Sequence, residues 1–128
     1  MQIQVNARNR AYSFDGSCDD KILNLGLSEA IDLPYECGSG TCGTCKARLI
    51  SGEIADRWPE APGHKYLKQD KGEFLMCQCT AETDIVVEVE SFVHTMEAGA
   101  CVPVSMRGRV ASASMLTADV MFLRIDLE

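Results

Sequence analysis

The stretch of this 128-residue chain that decides its fold runs Cys37-Gly38-Ser39-Gly40-Thr41-Cys42-Gly43-Thr44-Cys45. Four residues separate Cys37 from Cys42, two separate Cys42 from Cys45, and Cys77 stands alone far downstream. The chain has seven cysteines, an odd number, and no export signal is visible. Metal binding is therefore a better interpretation of these cysteines than a disulfide framework.

The cysteine spacing is that of a plant-type 2Fe–2S cluster. Two ferric ions, two sulfides and four thiolates sum to a net negative charge, which needs hydrogen-bond donors in a partly dry pocket. A tight loop can aim many backbone N–H groups at sulfur, and it needs positive φ angles and room for close approach, which glycine supplies. The predicted metal ligands are Cys37, Cys42, Cys45 and Cys77, and the other predicted cofactor-binding residues are Gly38, Ser39, Gly40, Thr41, Gly43 and Thr44.

Two other kinds of cysteine site fit less well. An all-cysteine zinc site favours paired two-residue knuckles, whereas only one residue separates Cys77 from Cys79. A redox dithiol at Cys42 and Cys45 would need a thioredoxin-like strand and helix around it, and it leaves Cys37 unexplained. We expect Cys18, Cys79 and Cys101 to be dispensable for metal binding, with Cys79 a buried neighbour or a spare thiol beside the cluster.

Two further motifs can be set aside. Residues 38–43 match the glycine pattern of a dinucleotide-binding loop, but that motif must follow a strand and open a helix. Here Pro34 precedes it and cysteines flank and interrupt it. Rieske ligation requires two histidines on one iron. His64 and His94 lie far from the loop in sequence, and we expect both to be exposed loop residues.

Hydrophobic periodicity predicts a small mixed sheet with one helix across it, an α+β fold. Ile3 and Val5 alternate with polar residues in a first strand, and Tyr12 and Phe14 do so in its hairpin partner, with the turn at residues 9–10. Further strands are expected over residues 46–50 and 85–90, and a short helix over residues 64–69.

Sequence signals for a helix start and a helix end bound the predicted main helix. Asp19 and Asp20 have the residue type of an N-cap and of first-turn acids. Apolar residues then recur at helical spacing and would face the core, namely Leu23, Leu27, Ala30 and Ile31. Pro34 is expected to end the helix.

The composition shifts after Phe92. Residues 1–92 form the predicted cluster domain, and residues 93–104, which hold Gly, Ala and Pro without periodicity, form a predicted linker. Residues 105–128 contain two predicted strands, over 107–112 and 122–127. Because two strands alone are marginal, this part is interpreted as the beginning of a second, incomplete domain.

The net charge of −7 argues against nucleic acid and against anionic membrane surfaces as partners. It suits either a partner with a positive patch or plain solubility. The chain shows neither a signal-peptide core nor an apolar run of bilayer length. The expected location is the cytoplasm.

Three segments resemble a known family, the N-terminal ferredoxin domain of bacterial oxygenase reductases: residues 34–45, Ser51-Gly52-Glu53, and Leu75-Met76-Cys77-Gln78-Cys79. Residues 58–63, Trp-Pro-Glu-Ala-Pro-Gly, resemble the toluene monooxygenase branch, and aromatic-ring dioxygenase reductases are also similar. The resemblance implies a β-grasp ferredoxin-type fold. It also implies that Cys37 and Cys42 hold the iron nearer the surface, and Cys45 and Cys77 the inner iron.

Residues 105–128 are similar to the first strands of the antiparallel flavin-binding β-barrel in the same reductases. The resemblance implies one-electron transfer by a domain without its own active site. The parent would be an NAD(P)H:FAD reductase component, with FAD and NADH bound in downstream domains. The FAD-binding domain would be the electron donor, and an oxygenase or its Rieske ferredoxin the acceptor. Two alternatives remain: a free-standing 2Fe–2S ferredoxin with a C-terminal extension, and a structural zinc module.

Overall fold

The computed structural model describes residues 1–128. It contains nine strands, one α-helix and two 3₁₀ segments. In chain order these are β1 (Gln2–Asn6), β2 (Ala11–Asp15), α1 (Ile22–Ser28), β3 (Lys46–Ser51), β4 (Ile54–Asp56), the 3₁₀ segments Pro62–Tyr66 and Gln69–Lys71, β5 (Glu73–Leu75), β6 (Cys79–Ala81), β7 (Ile85–Glu88), β8 (Gly108–Met115) and β9 (Met121–Leu127).

A five-stranded mixed sheet forms the centre of the fold, in the order β2-β1-β7-β3-β5. Strand β1 pairs antiparallel with β2 and parallel with β7, and β3 pairs antiparallel with both β7 and β5. The predicted alternation is confirmed, since Ile3 and Val5 are both fully buried. The predicted hairpin is also confirmed, and Ala7 N–H donates to the Arg10 carbonyl at 2.9 Å across its turn.

The start of α1 differs from the prediction. Lys21 occupies the N-cap position and the first helical turn contains no acidic residue, so the placement of Asp19 and Asp20 there was wrong. Asp20 instead lies just before the helix, where its Oδ1 accepts the Lys21 backbone N–H at 2.7 Å and the Asn24 side-chain amide at 2.9 Å. The carboxylate therefore fixes the entry of the chain into the helix from outside it.

The helix also ends six residues before Pro34, so the predicted stop was wrong. Ala30 has φ +58°, and the Ile31 N–H bonds to the Gly26 carbonyl while the Ala30 N–H bonds to that of Leu27. This is the hydrogen-bond pattern of a Schellman motif, which usually carries glycine at the left-handed position. Ala30 and Ile31 thus lie outside the helix, although Ile31 is still buried.

The core lies between α1 and the sheet. Its largest fully buried side chains are Ile3, Val5, Ile22, Leu23, Leu33, Leu75, Met76, Ile85, Val87, Val89 and Val93. Packing continues to Val93, whose backbone N–H and carbonyl both bond to the Asn9 side chain, at 3.0 and 2.7 Å. An isolated bridge then joins Thr95 to Ile31.

The other differences between the predicted and the observed elements involve short segments. Strand β3 matches its prediction, but β4, β5 and β6 have three residues each, too few to show a period in the sequence. The helix expected over residues 64–69 is two 3₁₀ segments instead. No helix of the chain reaches the length and apolarity needed to span a bilayer.

The two strands expected near the C-terminus are present as an antiparallel hairpin, β8–β9. One face is apolar along its whole length, with Val110 opposite Ile125, Ala113 opposite Leu123 and Met115 opposite Met121. Every residue of both strands is exposed. Between this hairpin and Met96, residues 101–107 form neither helix nor strand.

Replacing Ala30 with glycine should stabilise the fold by about 1 kcal/mol, because the left-handed conformation penalises a Cβ more than glycine costs in unfolded-state entropy. Urea unfolding followed by far-UV circular dichroism measures the change. Ala11→Gly is the matched control, since Ala11 is an exposed strand residue and its replacement should destabilise. An Ala30→Gly protein no more stable than the original would contradict this account of the helix end.

Candidate functional site

Strand pairing brings the distant Cys77 to the loop cysteines. Cys45 immediately precedes β3, and Cys77 follows β5 by two residues. Because β3 and β5 pair antiparallel with Lys46 opposite Leu75, these two chain positions meet at one end of the sheet. The Met76 N–H donates to the Cys45 carbonyl at 3.1 Å and closes the junction.

A turn at residues 76–78 separates Cys77 from Cys79. The Gln78 N–H bonds to the Leu75 carbonyl at 3.1 Å, and Cys79 then begins β6 opposite Asp56. Cys79 is fully buried. Burial, reinforced by the nearby Asp56 carboxylate, raises the pKa of the Cys79 thiol to about 12, so this thiol stays neutral at physiological pH.

The loop from Cys37 to Cys45 aims backbone amides at sulfur. Three N–H groups, those of Ser39, Thr41 and Cys42, each donate to Cys37 Sγ at 3.4 Å. A fourth, that of Thr44, donates to Cys42 Sγ at 3.4 Å. The Ser39 side chain and these amides lower the pKa of the Cys37 thiol to about 5. The loop is therefore suited to hold anionic sulfur.

The three glycines of the loop differ in what surrounds them. Gly38, Gly40 and Gly43 all have positive φ, at 63°, 86° and 76°. A Cβ on Gly40 would lie 3.1 Å from both Gln78 Cγ and Trp58 Cε3, whereas one on Gly38 would meet nothing within 4 Å. At Gly43 a Cβ would lie 2.7 Å from Tyr66 Cδ2. Gly40 and Gly43 are thus covered by side chains, and Gly38 is open.

The segment after β4 supports the loop from outside. The Gly63 N–H donates to the Gly40 carbonyl at 2.7 Å, and Trp58, 40% exposed, lies against the loop. His64 was expected to be exposed, which was wrong: its side chain is only 18% exposed, and Nε2 lies 2.9 Å from Asp56 Oδ2. Asp56 also accepts the Trp58 N–H at 2.9 Å, so one carboxylate fixes both ends of this segment.

Cys45 and Cys77 are both buried, and each perturbs the titration of the other. A hydrogen bond from Cys45 lowers the pKa of Cys77 to about 6, while the same bond and burial raise the pKa of Cys45. Two adjacent thiolates repel each other, so both become ligands only when a cation compensates their charge. A 2Fe–2S cluster is held by four cysteine thiolates shared between two irons, so the four thiols fit it as a donor set.

The structure brings Cys45 beside the Met76–Cys77 segment, and the loop directs backbone amides at Cys37 and Cys42 Sγ. It also draws in residues that the sequence argument did not assign to the site. Gln78 directs its side-chain amide at Cys77 Sγ, with 3.6 Å between Nε2 and sulfur, and Tyr66 covers Gly43. Adjacency to Cys77 was the only sequence signal for Gln78, and Tyr66 had none, because its position depends on the 3₁₀ segments.

Known proteins match most of this chain. Residues 5–82 match the model of the 2Fe-2S iron-sulfur cluster binding domain. The ferredoxin–NAD(+) reductase component of the alkene monooxygenase system of Xanthobacter autotrophicus is 40% identical over 84 residues, which are 65% of this chain and 26% of that protein. Ferredoxin-2 of Synechococcus is 30% identical over 87 residues, 68% of this chain and 81% of that ferredoxin.

A solved structure resembles the whole chain. The ferredoxin reductase in carbazole 1,9a-dioxygenase aligns with a TM-score of 0.75 and 30% identity, over 100% of this chain and 38% of the reductase. The chain spans about a third or less of the length of the first curated relatives it matches. The expected ferredoxin-type fold, together with the strands that follow it, agrees with this alignment. The chain belongs to the family of 2Fe-2S iron-sulfur cluster binding domains.

Proposed function

We propose that this chain transfers single electrons through a 2Fe–2S cluster held by Cys37, Cys42, Cys45 and Cys77. The observation that carries the proposal is the set of backbone N–H groups aimed at Cys37 and Cys42 Sγ, beside the buried Cys45–Cys77 pair. When bound, the group supplies one-electron chemistry, and the protein supplies binding, orientation and electrostatics.

The residues between the ligands divide into two roles. Ser39, Thr41 and Thr44 present N–H groups to ligand sulfur, which favours its anionic form and offsets the negative charge of the cluster. Gly38, Gly40 and Gly43 adopt the positive φ angles that let these amides converge. Cys37 is exposed and Cys45 and Cys77 are buried, which supports an assignment of Cys37 and Cys42 to the iron nearer the surface.

We further propose that the chain is part of an oxygenase reductase component. The apolar face of β8–β9 supports this, because an exposed apolar sheet face of this length normally packs against further strands. Residues 1–92 would be the cluster domain, 93–104 the linker and 105–128 the opening hairpin of an FAD-binding domain. Electrons would reach the cluster domain singly from that flavin, which NADH reduces in a later domain.

The proposed acceptor is an oxygenase, either directly or through a Rieske ferredoxin. The alkene monooxygenase and carbazole dioxygenase relatives support this class of partner. The net charge of −7 would speed encounter with an acceptor that carries a positive patch. The seven cysteines, all of them free, suit the reducing cytoplasm, where we place the protein.

A second candidate is a free-standing ferredoxin. Its support is the Synechococcus relative, 81% of whose length is matched by this chain. In that case β8–β9 would be an extension, with no flavin partner in the same polypeptide. Coding sequence downstream of Glu128 distinguishes the two, because the reductase hypothesis requires flavin- and nicotinamide-binding motifs there.

Single cysteine-to-serine variants test the ligand set. Iron and acid-labile sulfide should fall sharply in Cys37, Cys42, Cys45 and Cys77 variants, because serine is a poor replacement for thiolate as an iron ligand. Cys18→Ser, Cys79→Ser and Cys101→Ser are the matched controls and should keep the cluster. A Cys79→Ser protein that lost its cluster, with Cys77→Ser keeping it, would overturn the assignment.

Valine substitutions separate packing from backbone strain in the loop. Gly40→Val should cause a several-fold loss of bound iron, because it adds contact with Gln78 and Trp58 to the cost of positive φ. Gly38→Val bears the backbone cost alone, since the space beside Gly38 is open, and should retain more iron. Equal iron content in the two variants would show that side-chain cover over Gly40 is unimportant.

The 128-residue chain with its cluster should not oxidise NADH. A nicotinamide gives up a hydride with two electrons, and the cluster takes one, so a flavin is needed between them. Dithionite should reduce the same sample and bleach its visible band. Anaerobic absorbance spectra make the comparison, and prompt bleaching by NADH alone would reveal a nucleotide site in these residues.

A further inference from the structure

The side-chain amide of Gln78 contacts one of the predicted ligand sulfurs. Gln78 Nε2 lies 3.6 Å from Cys77 Sγ in hydrogen-bonding geometry, within the range of N–H···S contacts. Backbone amides also donate to sulfur in the loop, at Cys37 and Cys42 Sγ. Backbone amides are retained in any variant, whereas the Gln78 contact can be removed by substitution.

The position of this amide is fixed by its surroundings. The Gln78 N–H bonds to the Leu75 carbonyl at 3.1 Å, and its carbonyl accepts the Arg57 N–H at 3.0 Å. Its side chain is half-buried and packs against the loop at Gly40, where an added Cβ would lie 3.2 Å from Nε2. The absence of a side chain at Gly40 therefore leaves the space that the amide occupies.

We propose that Gln78 raises the reduction potential of the cluster by donating its side-chain N–H to Cys77 Sγ. This inference rests on the proposed ligand set, in which Cys77 binds iron. Reduction adds one electron and one negative charge to the cluster, and no atom is transferred. An N–H dipole aimed at a ligand sulfur is more favourable after that charge is added, so it stabilises the reduced state.

The surroundings of Cys77 support a measurable effect. Cys77 is buried, so water competes little with the amide, and the lower local dielectric strengthens the contact.

Gln78→Leu and Gln78→Glu test the proposal by spectroelectrochemical titration. Leucine removes the donor with little change in size, and the equilibrium constant for reduction should fall by up to about tenfold, which is about 59 mV for a one-electron couple. Glutamate removes the donor and adds negative charge, so its potential should be lower still. The control is Gln4→Leu, a half-buried glutamine whose amide donates to Asn6 Oδ1 at 2.9 Å, in β1. Its potential should not move.

A measurement on the unmodified protein keeps the proposal testable if the variants lose cluster. The chain has four glutamines, at positions 2, 4, 69 and 78. Protein made with glutamine labelled by ¹⁵N in the side chain and reduced with dithionite should show a ¹⁵N coupling in pulsed EPR, because Gln78 contacts a ligand sulfur. The coupling should survive in Gln4→Leu.

The outcomes are distinct. A Gln78→Leu protein with full iron and sulfide and an unchanged potential would overturn the role of Gln78, and so would the absence of ¹⁵N coupling in the labelled original protein. Either result would leave the cluster and its four ligands in place. An original protein without a 2Fe–2S EPR signal would instead contradict the proposed function, on which this inference depends.

Discussion

The antiparallel pairing of β3 with β5 is the constraint on which the rest of the site depends. It sets Lys46 opposite Leu75, and this register alone brings Cys45 next to a cysteine more than thirty positions away in the sequence. A shift of one residue would exchange the faces to which Phe74 and Leu75 point, two differently shaped side chains that are both buried, and it would move Cys77 away from Cys45. The hydrophobic core and the cysteine site therefore require the same register.

The loop meets a requirement that conflicts with ordinary folding. Backbone N–H groups in folded proteins mostly bond to carbonyls, but those of Ser39, Thr41 and Cys42 converge on one sulfur. The positive φ of the loop glycines makes this possible, and the segment after β4 holds the loop in place through Gly63 and the Asp56–His64 contact. Ordering the loop glycines costs conformational entropy. The stability that a bound cluster contributes to the folded state offsets this cost.

The sequence predicted the features that depend on local pattern or on fixed ligand spacing. The β1–β2 hairpin, β3 and the C-terminal hairpin follow from period-two alternation, and the four cysteines follow from the geometry of a binuclear cluster. The helix end could not be predicted, because Ala30 adopts a conformation normally left to glycine. The partial burial of His64 and the contact of Gln78 with Cys77 depend on tertiary packing of segments that lack any period. The ligand assignment itself remains a prediction.

The central claim is that these residues hold one 2Fe–2S cluster and use it to carry one electron. The most direct test is quantitative EPR on the anaerobic 128-residue protein, combined with iron and sulfide analysis of the same sample. The account predicts about two irons and two sulfides per chain. The oxidised sample should be EPR-silent, and dithionite reduction should generate a signal that integrates to about one spin per chain. A colourless protein that binds zinc with no sulfide, or a reduced sample without such a signal, would contradict it.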